Sequence, residues 1–147
     1  MAPQDAYHVY ISYSIHDHRW ARRLTESLRG KGFEVFFDQQ QLKAGAHWDA
    51  DLAEALKRSH HLVVLWSDQA NRSDQVWKEL TFFEALVRDP NAPTRLMIML
   101  NLEGRNKAYG HLLAINDLQK AYREGIESLD ENVWNKLVNR ITAALGS

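Results

Sequence analysis

No cysteine occurs among the 147 residues, which excludes disulfides, thiolate catalysis and cysteine-ligated zinc or iron–sulfur centres. That fits a reducing compartment, and a cytoplasmic location is expected. Charge of either sign is not in excess: the formal net charge is −1, so the chain has no general attraction to phosphate backbones or anionic lipid. Neither nucleic acid nor a membrane is therefore an expected partner. No apolar run approaches the roughly 20 residues that cross a bilayer. The start, Met1-Ala2-Pro3-Gln4-Asp5, has no basic region followed by an apolar stretch, so a secretory signal is not expected. Gly-rich phosphate loops and a Gly-x-Ser-x-Gly elbow are missing. The seven histidines, among them His16, His18, His60 and His61, show no i,i+4 spacing, so a metal site is not expected.

What is present is an ordinary globular composition, 45% hydrophobic and 25% charged. A chain of this length buries roughly 70% of its unfolded surface around one core. With no repeat, linker or low-complexity segment, residues 1–147 read as one domain with a core over about 7–145. Strand and helix signals alternate. Tyr7 to Tyr13 is short and β-rich. Ser14-Ile15-His16-Asp17 fits a capping box, followed by Trp20, Leu24 and Leu28 at helical spacing and by Gly30 and Gly32 as a stop. Phe33 to Phe37 reads as the second strand and 38–48 as a polar loop. A second helix begins near Asp49 and Asp51 and closes at Lys57 and Arg58, matching the helix dipole. Leu62-Val63-Val64-Leu65-Trp66 is a continuous apolar run, as in a strand covered on both faces.

A third helix over Asp74 to Arg88 carries Val76, Leu80, Phe83 and Val87 on one stripe. Leu96 to Leu100 is a fourth strand, Ala114 to Leu118 a short fifth, and Asp130 caps a last helix with Val133, Leu137, Ile141 and Leu145 inward. Alternating strands and helices imply an α/β fold with right-handed crossovers. The expected architecture is a flavodoxin-like three-layer sandwich, its five-stranded parallel sheet ordered 2-1-3-4-5. Ligands bind such sheets outside the carboxyl ends of the strands, where the winding reverses between strands one and three. Tyr13-Ser14 and Trp66-Ser67 flank that point, and Asp38 and the start of the third helix share its edge.

The residues at that edge resemble the TIR domain family. Tyr10-Ile11-Ser12-Tyr13-Ser14 is similar to its first-strand signature, and Phe33-Glu34-Val35-Phe36-Phe37-Asp38 to its second strand ending in Asp. Leu42-Lys43-Ala44-Gly45 resembles the loop that mediates self-association, and Leu62-Val63-Val64-Leu65-Trp66-Ser67 the third strand ending in Ser. Trp77-Lys78-Glu79-Leu80 resembles the segment whose Glu is catalytic in NAD-cleaving members. The resemblance runs from about Tyr7 to Leu100. It departs at Gln75, where the family usually places Trp four residues before the Glu; here Trp77 lies two before it.

What the resemblance implies is an NAD+ glycohydrolase or cyclase activated by self-assembly, as in bacterial immune-type defence, with NAD+ as substrate and no cofactor. Glu79 is the implied catalytic residue. Tyr13, Ser14, Asp38, Trp48, Ser67 and Trp77 are candidate substrate contacts, Leu42 and Gly45 candidate self-association residues, and a sensor domain outside this chain a candidate partner. The alternative is a non-enzymatic adaptor acting through homotypic contacts. A deoxyribosyltransferase-like enzyme shares the sheet and a carboxylate nucleophile, but the loop and strand motifs argue against it.

The residues carry plainer readings too. Glu79 lies roughly 70° from the centre of its helix's apolar stripe, on the margin between core and solvent, where a dipole-complementing surface Glu would also sit. Glu84 holds the opposite margin, but lies more than a turn further from the binding edge. Trp48 either stacks on a base or packs its loop onto the second helix. Asp38 either bonds ribose or ties down its loop. Ser14 and Ser67 read as helix caps whose helix N-termini also suit a phosphate, and Tyr13 as a partly buried ring. Cleaving the nicotinamide–ribose bond releases a neutral group from a cationic one, so one carboxylate that stabilises positive charge on the ribose suffices, whereas ordinary glycosidases use two. Water then gives ADP-ribose, and the adenine of the same molecule gives a cyclic product; the sequence leaves both open.

Overall fold

The computed structural model describes residues 7–37, 50–91, 94–103, 111–113 and 116–146. Asp38, Leu42, Gly45, Trp48 and the stretch 104–110 lie outside the described residues. Four parallel strands form the body of the sheet: Tyr7–Ser12 (β1), Val35–Phe36 (β2), Ser59–Trp66 (β3) and Met97–Asn101 (β4), in the order β2-β1-β3-β4. A three-residue edge strand, His111–Leu113 (β5), pairs in parallel with β4 and extends the order to 2-1-3-4-5. The helices are His18–Gly30 (α1), Ala50–Lys57 (α2), Asp68–Asn71 (α3), Asp74–Arg88 (α4), Asn116–Glu124 (α5) and Glu131–Leu145 (α6). The expected fifth strand at Ala114 to Leu118 is thus corrected. Pairing precedes it in the chain, and Asn116 onward is helical, with Leu118 and Ala121 buried a helical step apart.

Period-two alternation divides the strand side chains between two cores. Val9, Ile11, Val63, Leu65, Ile98 and Leu100 face Trp20, Leu24 and Leu28 of α1 and Trp134, Leu137 and Ile141 of α6. Tyr10, Leu62, Val64, Trp66, Met97 and Met99 face Leu56 of α2 and Val76, Leu80 and Phe83 of α4. Both faces are covered, which is why β3 from Leu62 onward reads as one buried apolar run. Gly32, with φ 93°, supplies the left-handed turn between α1 and β2. Asp130 caps α6 through its carboxylate, accepting from Asn132 N at 2.7 Å. The inward stripe of α6 runs through Trp134, Leu137, Val138, Ile141 and Leu145, leaving Val133 only half-buried.

Two histidines tie the amino edge of this sheet by accepting backbone hydrogen bonds. His8 Nδ1 accepts from Glu34 N at 2.8 Å, just ahead of β2. His61 Nδ1 accepts from Leu96 N at 3.0 Å, just ahead of β4, and its ring also bonds the Leu145 backbone at the end of α6. Burial holds the His61 imidazole below the usual histidine range, helped by His60, Arg95 and His8 nearby, against the opposing pull of the Leu145 bond. The folded-state value is depressed, so the contribution of His61 to stability is complete above the ordinary histidine value of about 6.5 and is lost as pH falls through the folded value. Urea midpoints measured from pH 7.5 down to pH 5 should therefore fall. His61→Asn, whose amide oxygen accepts without titrating, should show a shallower fall over the same range.

Candidate functional site

Glu79 is the centre of the candidate site. Its carboxylate lies in the second turn of α4 and is fully buried, at 0% exposure. Because residues two apart on a strand share a face, Tyr10 and Ser12 of β1 both point toward α4. Ser12 Oγ donates to Glu79 Oε1 at 2.6 Å, and the Tyr10 hydroxyl donates to Oε2. Gln75, one helical turn earlier, donates its amide to Oε2 at 3.3 Å. A buried carboxylate is tolerated only when such donors replace its water.

This placement differs from the marginal position that the apolar stripe predicts. Val87 is 40% exposed, whereas Leu86, seven residues after Glu79 and almost in line with it, packs on the core. The buried arc therefore extends to the Glu79 side. Glu84 has a different fate: it pairs with Arg88 at 2.7 Å, with 43% of its side chain exposed. The departure at Gln75 also gains a physical content, since the residue four before Glu79 is one of its hydrogen-bond donors.

Trp77, two residues before Glu79, contacts α3 and β3. Its indole N–H donates to the Asn71 carbonyl at 2.7 Å, and its ring meets Trp66 edge-to-face at 5.6 Å between centroids. Its outer side lines a surface groove of about 480 Å³ with Asp74, Lys78, Thr81 and Phe82.

Across the sheet, the same carboxyl edge holds a second buried carboxylate. Asp17 is 1% exposed and accepts from Ser67 Oγ and from the Tyr122 hydroxyl, each at 2.6 Å. Burial raises its carboxyl above the usual range, with Glu103 adding to the effect, and the Ser67 and Tyr122 hydroxyls pull it partly back. The Tyr122 hydroxyl is in turn pushed up, by burial first and then by Asp17. The capping-box reading is corrected here. Ser14 does cap, accepting from His16 N at 3.3 Å, but Asp17 makes no side-chain cap bond and reaches across to β3 and α5. Ser67 is both the cap of α3, accepting from Ala70 N at 3.1 Å, and the donor to Asp17. Tyr13 is buried against Phe37, with centroids 5.3 Å apart.

Of the expected site residues, Tyr13, Ser14 and Ser67 thus cluster on the α1 side and Glu79 and Trp77 on the α4 side. Asp38 and Trp48 lie outside the described residues. Sequence reading missed Tyr10 and Ser12 as partners of Glu79, although strand alternation puts both on one face. It missed Tyr122 because it missed α5. Among the described residues no group of three metal-ligating side chains comes together.

These geometries can be set beside known proteins. The family model for the TIR domain matches residues 9–136. Among solved structures, the TIR domains of the activated Roq1 resistosome, which recognises the pathogen effector XopQ, superpose with a TM-score of 0.53 at 18% identity, covering 92% of this chain and 83% of theirs. The TIR domain of the Toll-related receptor TRR-2 from Hydra magnipapillata gives 0.55 at 16% identity, covering 90% of this chain and 98% of that one. At such identities the likeness carries the fold and not the function. No curated protein matches the chain. The family match over most of its length, with the sheet order 2-1-3-4-5, makes this chain a member of the TIR domain family.

Proposed function

We propose that this TIR domain cleaves the nicotinamide–ribose bond of NAD+, with Glu79 as the catalytic carboxylate. The observation that supports this most is the placement of Glu79: a buried carboxylate at the carboxyl edge of the sheet, held by Tyr10 and Ser12. In a doubly wound sheet that edge is where ligands sit. A carboxylate fixed in advance needs no reorganisation as positive charge grows on the ribose ring, which is the condition for electrostatic catalysis. The Gln75 bond, at 3.3 Å the longest described at this carboxylate, is the one a ribose hydroxyl would replace. Nicotinamide leaves as a neutral group, so no second carboxyl is required; water completes the hydrolysis, or the adenine of the same molecule completes a cyclisation. In this reading Tyr13, Ser14, Ser67, Asp38, Trp48 and Trp77 are substrate contacts, and Leu42 and Gly45 belong to a self-association segment.

The complete burial of Glu79 couples the chemistry to an opening step, and self-assembly is the proposed trigger. The solved Roq1 TIR domains belong to an activated resistosome, which supports assembly as an active form. Immune-type NAD+ depletion or signalling in the cytoplasm, with a sensor domain outside this chain, is the corresponding role. The same burial favours a second reading: an adaptor that acts by homotypic TIR contacts, in which Glu79 is a packing residue and no substrate reaches it.

Nicotinamide release from NAD+, followed by chromatography on concentrated or artificially clustered protein, separates the two. Glu79→Gln should lower turnover by about a hundred- to a thousandfold, the scale of a lost charge-stabilising group, while Glu84→Gln retains it. Release that persists in Glu79→Gln would defeat the assignment, and no release from the parent even when clustered would favour the adaptor. Tyr10→Phe, which removes one hydroxyl without changing the ring, should cut kcat by about tenfold, the worth of one such bond. A lowered unfolding midpoint with kcat intact would make Tyr10 purely structural.

A further inference from the structure

We infer that the indole N–H of Trp66 is a ligand-binding donor in the same site, taking an acceptor oxygen of the nucleotide whose ribose Glu79 engages. Trp66 ends β3 and is 1% exposed, yet its Nε1 is buried with no hydrogen-bond partner among the described residues. Such a donor costs about 1–3 kcal/mol relative to a satisfied one, and native proteins leave few of them. Two other indoles of the fold behave differently. Trp77 donates to the Asn71 carbonyl at 2.7 Å, and Trp134 donates to Ser27 Oγ at 2.9 Å. A leucine or phenylalanine at position 66 would fill the apolar face without the penalty, so the nitrogen calls for an acceptor that arrives from outside.

Its place in the sheet says which acceptor. Val64 stands opposite Ser12 in the parallel register, and Ser12 holds Glu79. Trp66 is two residues further along the same face, so it lies about 6.6 Å nearer the carboxyl edge. A ligand spanning both groups presents hydroxyl donors to a carboxylate and, several ångströms away, an oxygen acceptor to an indole. A nicotinamide nucleotide has that pattern, with a ribose diol beside a carboxamide on one side and phosphates on the other. Trp77, partly exposed and packed edge-to-face on Trp66, is the side chain whose displacement would admit the acceptor. This inference rests on the proposed dinucleotide site but is tested separately from cleavage.

The test is the indole ¹H–¹⁵N spectrum of the full chain carrying E79Q to prevent turnover, with the Trp66 resonance assigned by its loss in W66F. NAD+, ADP-ribose and nicotinamide are added in turn. Trp66 should shift with NAD+ while Trp134 stays in place; a shift shared with nicotinamide assigns the carboxamide oxygen, and one shared with ADP-ribose assigns a phosphate or ribose oxygen. In the parent background W66F should lower kcat/KM about tenfold, mainly through KM, as expected for one lost hydrogen bond, without lowering the unfolding midpoint. W66L serves the same comparison should the phenylalanine variant fail to fold. A Trp66 resonance unmoved by all three compounds, or a parental KM in both variants, overturns the inference even if NAD+ is cleaved. A Trp66 shift without any nicotinamide release from the parent, even when clustered, upholds the binding donor and removes the glycohydrolase reading instead.

Discussion

A strand covered on both faces can carry polar side chains only where another element brings them partners, and β1 lives under that constraint. It is the second strand in the order 2-1-3-4-5, paired on both sides and packed on both faces. Tyr10 and Ser12 turn hydroxyls into the α4 core, and Glu79 is the group that satisfies them. The dependence is mutual, because a carboxylate withdrawn from water needs those donors in return. These contacts join residues 69 and 67 positions apart, so they fix how α4 sits on the sheet. At the end of the same strand Asp17 meets Ser67 and Tyr122 and fixes the opposite layer. The carboxyl edge therefore holds most of the buried polar side chains of the described fold, among them Ser12, Ser14, Asp17, Ser67 and Glu79.

How much of this is legible in the chain depends on the range of the interactions. Local periodicity suffices for β3, whose apolar run from Leu62 is buried throughout, and for α4, which runs from Asp74 to Arg88 as read from the sequence. It fails near Ala114 to Leu118. A three-residue edge strand has no pattern of its own, and the narrow apolar stripe of α5 (Leu118, Ala121 and Tyr122) begins where the segment read as a strand ends. It fails again, more instructively, at the two acids. A helical wheel drawn from Val76, Leu80, Phe83 and Val87 places Glu79 at a margin, because the wheel knows nothing of the hydroxyls that make its burial tolerable. A capping box explains Asp17 locally, because nothing local announces Tyr122, 105 residues away. Both errors come from scoring a polar residue without its distant partners. Functional sites are where that error concentrates, since they are where local rules are broken for a reason.

The two carboxylates also divide the edge into unlike halves. On the α1 side Asp17 is raised toward its neutral form by burial, and its two hydroxyl donors belong to elements that it ties together. Ser67 there also caps α3, so a phosphate seated at that helix would compete with an existing clamp. On the α4 side the carboxylate takes a long bond from Gln75, and Trp66, on the same face of the sheet, has an indole N–H with no acceptor among the described residues. The first half is a finished structure, and the second has groups that a ligand could complete. That asymmetry favours the α4 face as the place where a nucleotide's ribose is met, and a substrate contact from Ser14 or Ser67 would have to share a hydroxyl that already caps a helix.

A site of this kind poses a problem of populations. Glu79 and Trp66 are both closed to solvent, so any ligand they share would bind only the fraction of molecules in which both are uncovered. Apparent affinity falls in proportion to that fraction. Each tenfold gain in the open population requires a difference of about 1.4 kcal/mol between contacts made to the open and closed forms. Contacts between copies that favour the open form by a few such increments would move a dormant domain to an active one, and contacts indifferent to the two forms would gather the domains without awakening them. On the proposed reading, enzyme and adaptor would be two regimes of one fold. What separates them is how the free energy of assembly compares with the free energy that keeps Gln75 and Trp77 closed over Glu79 and Trp66.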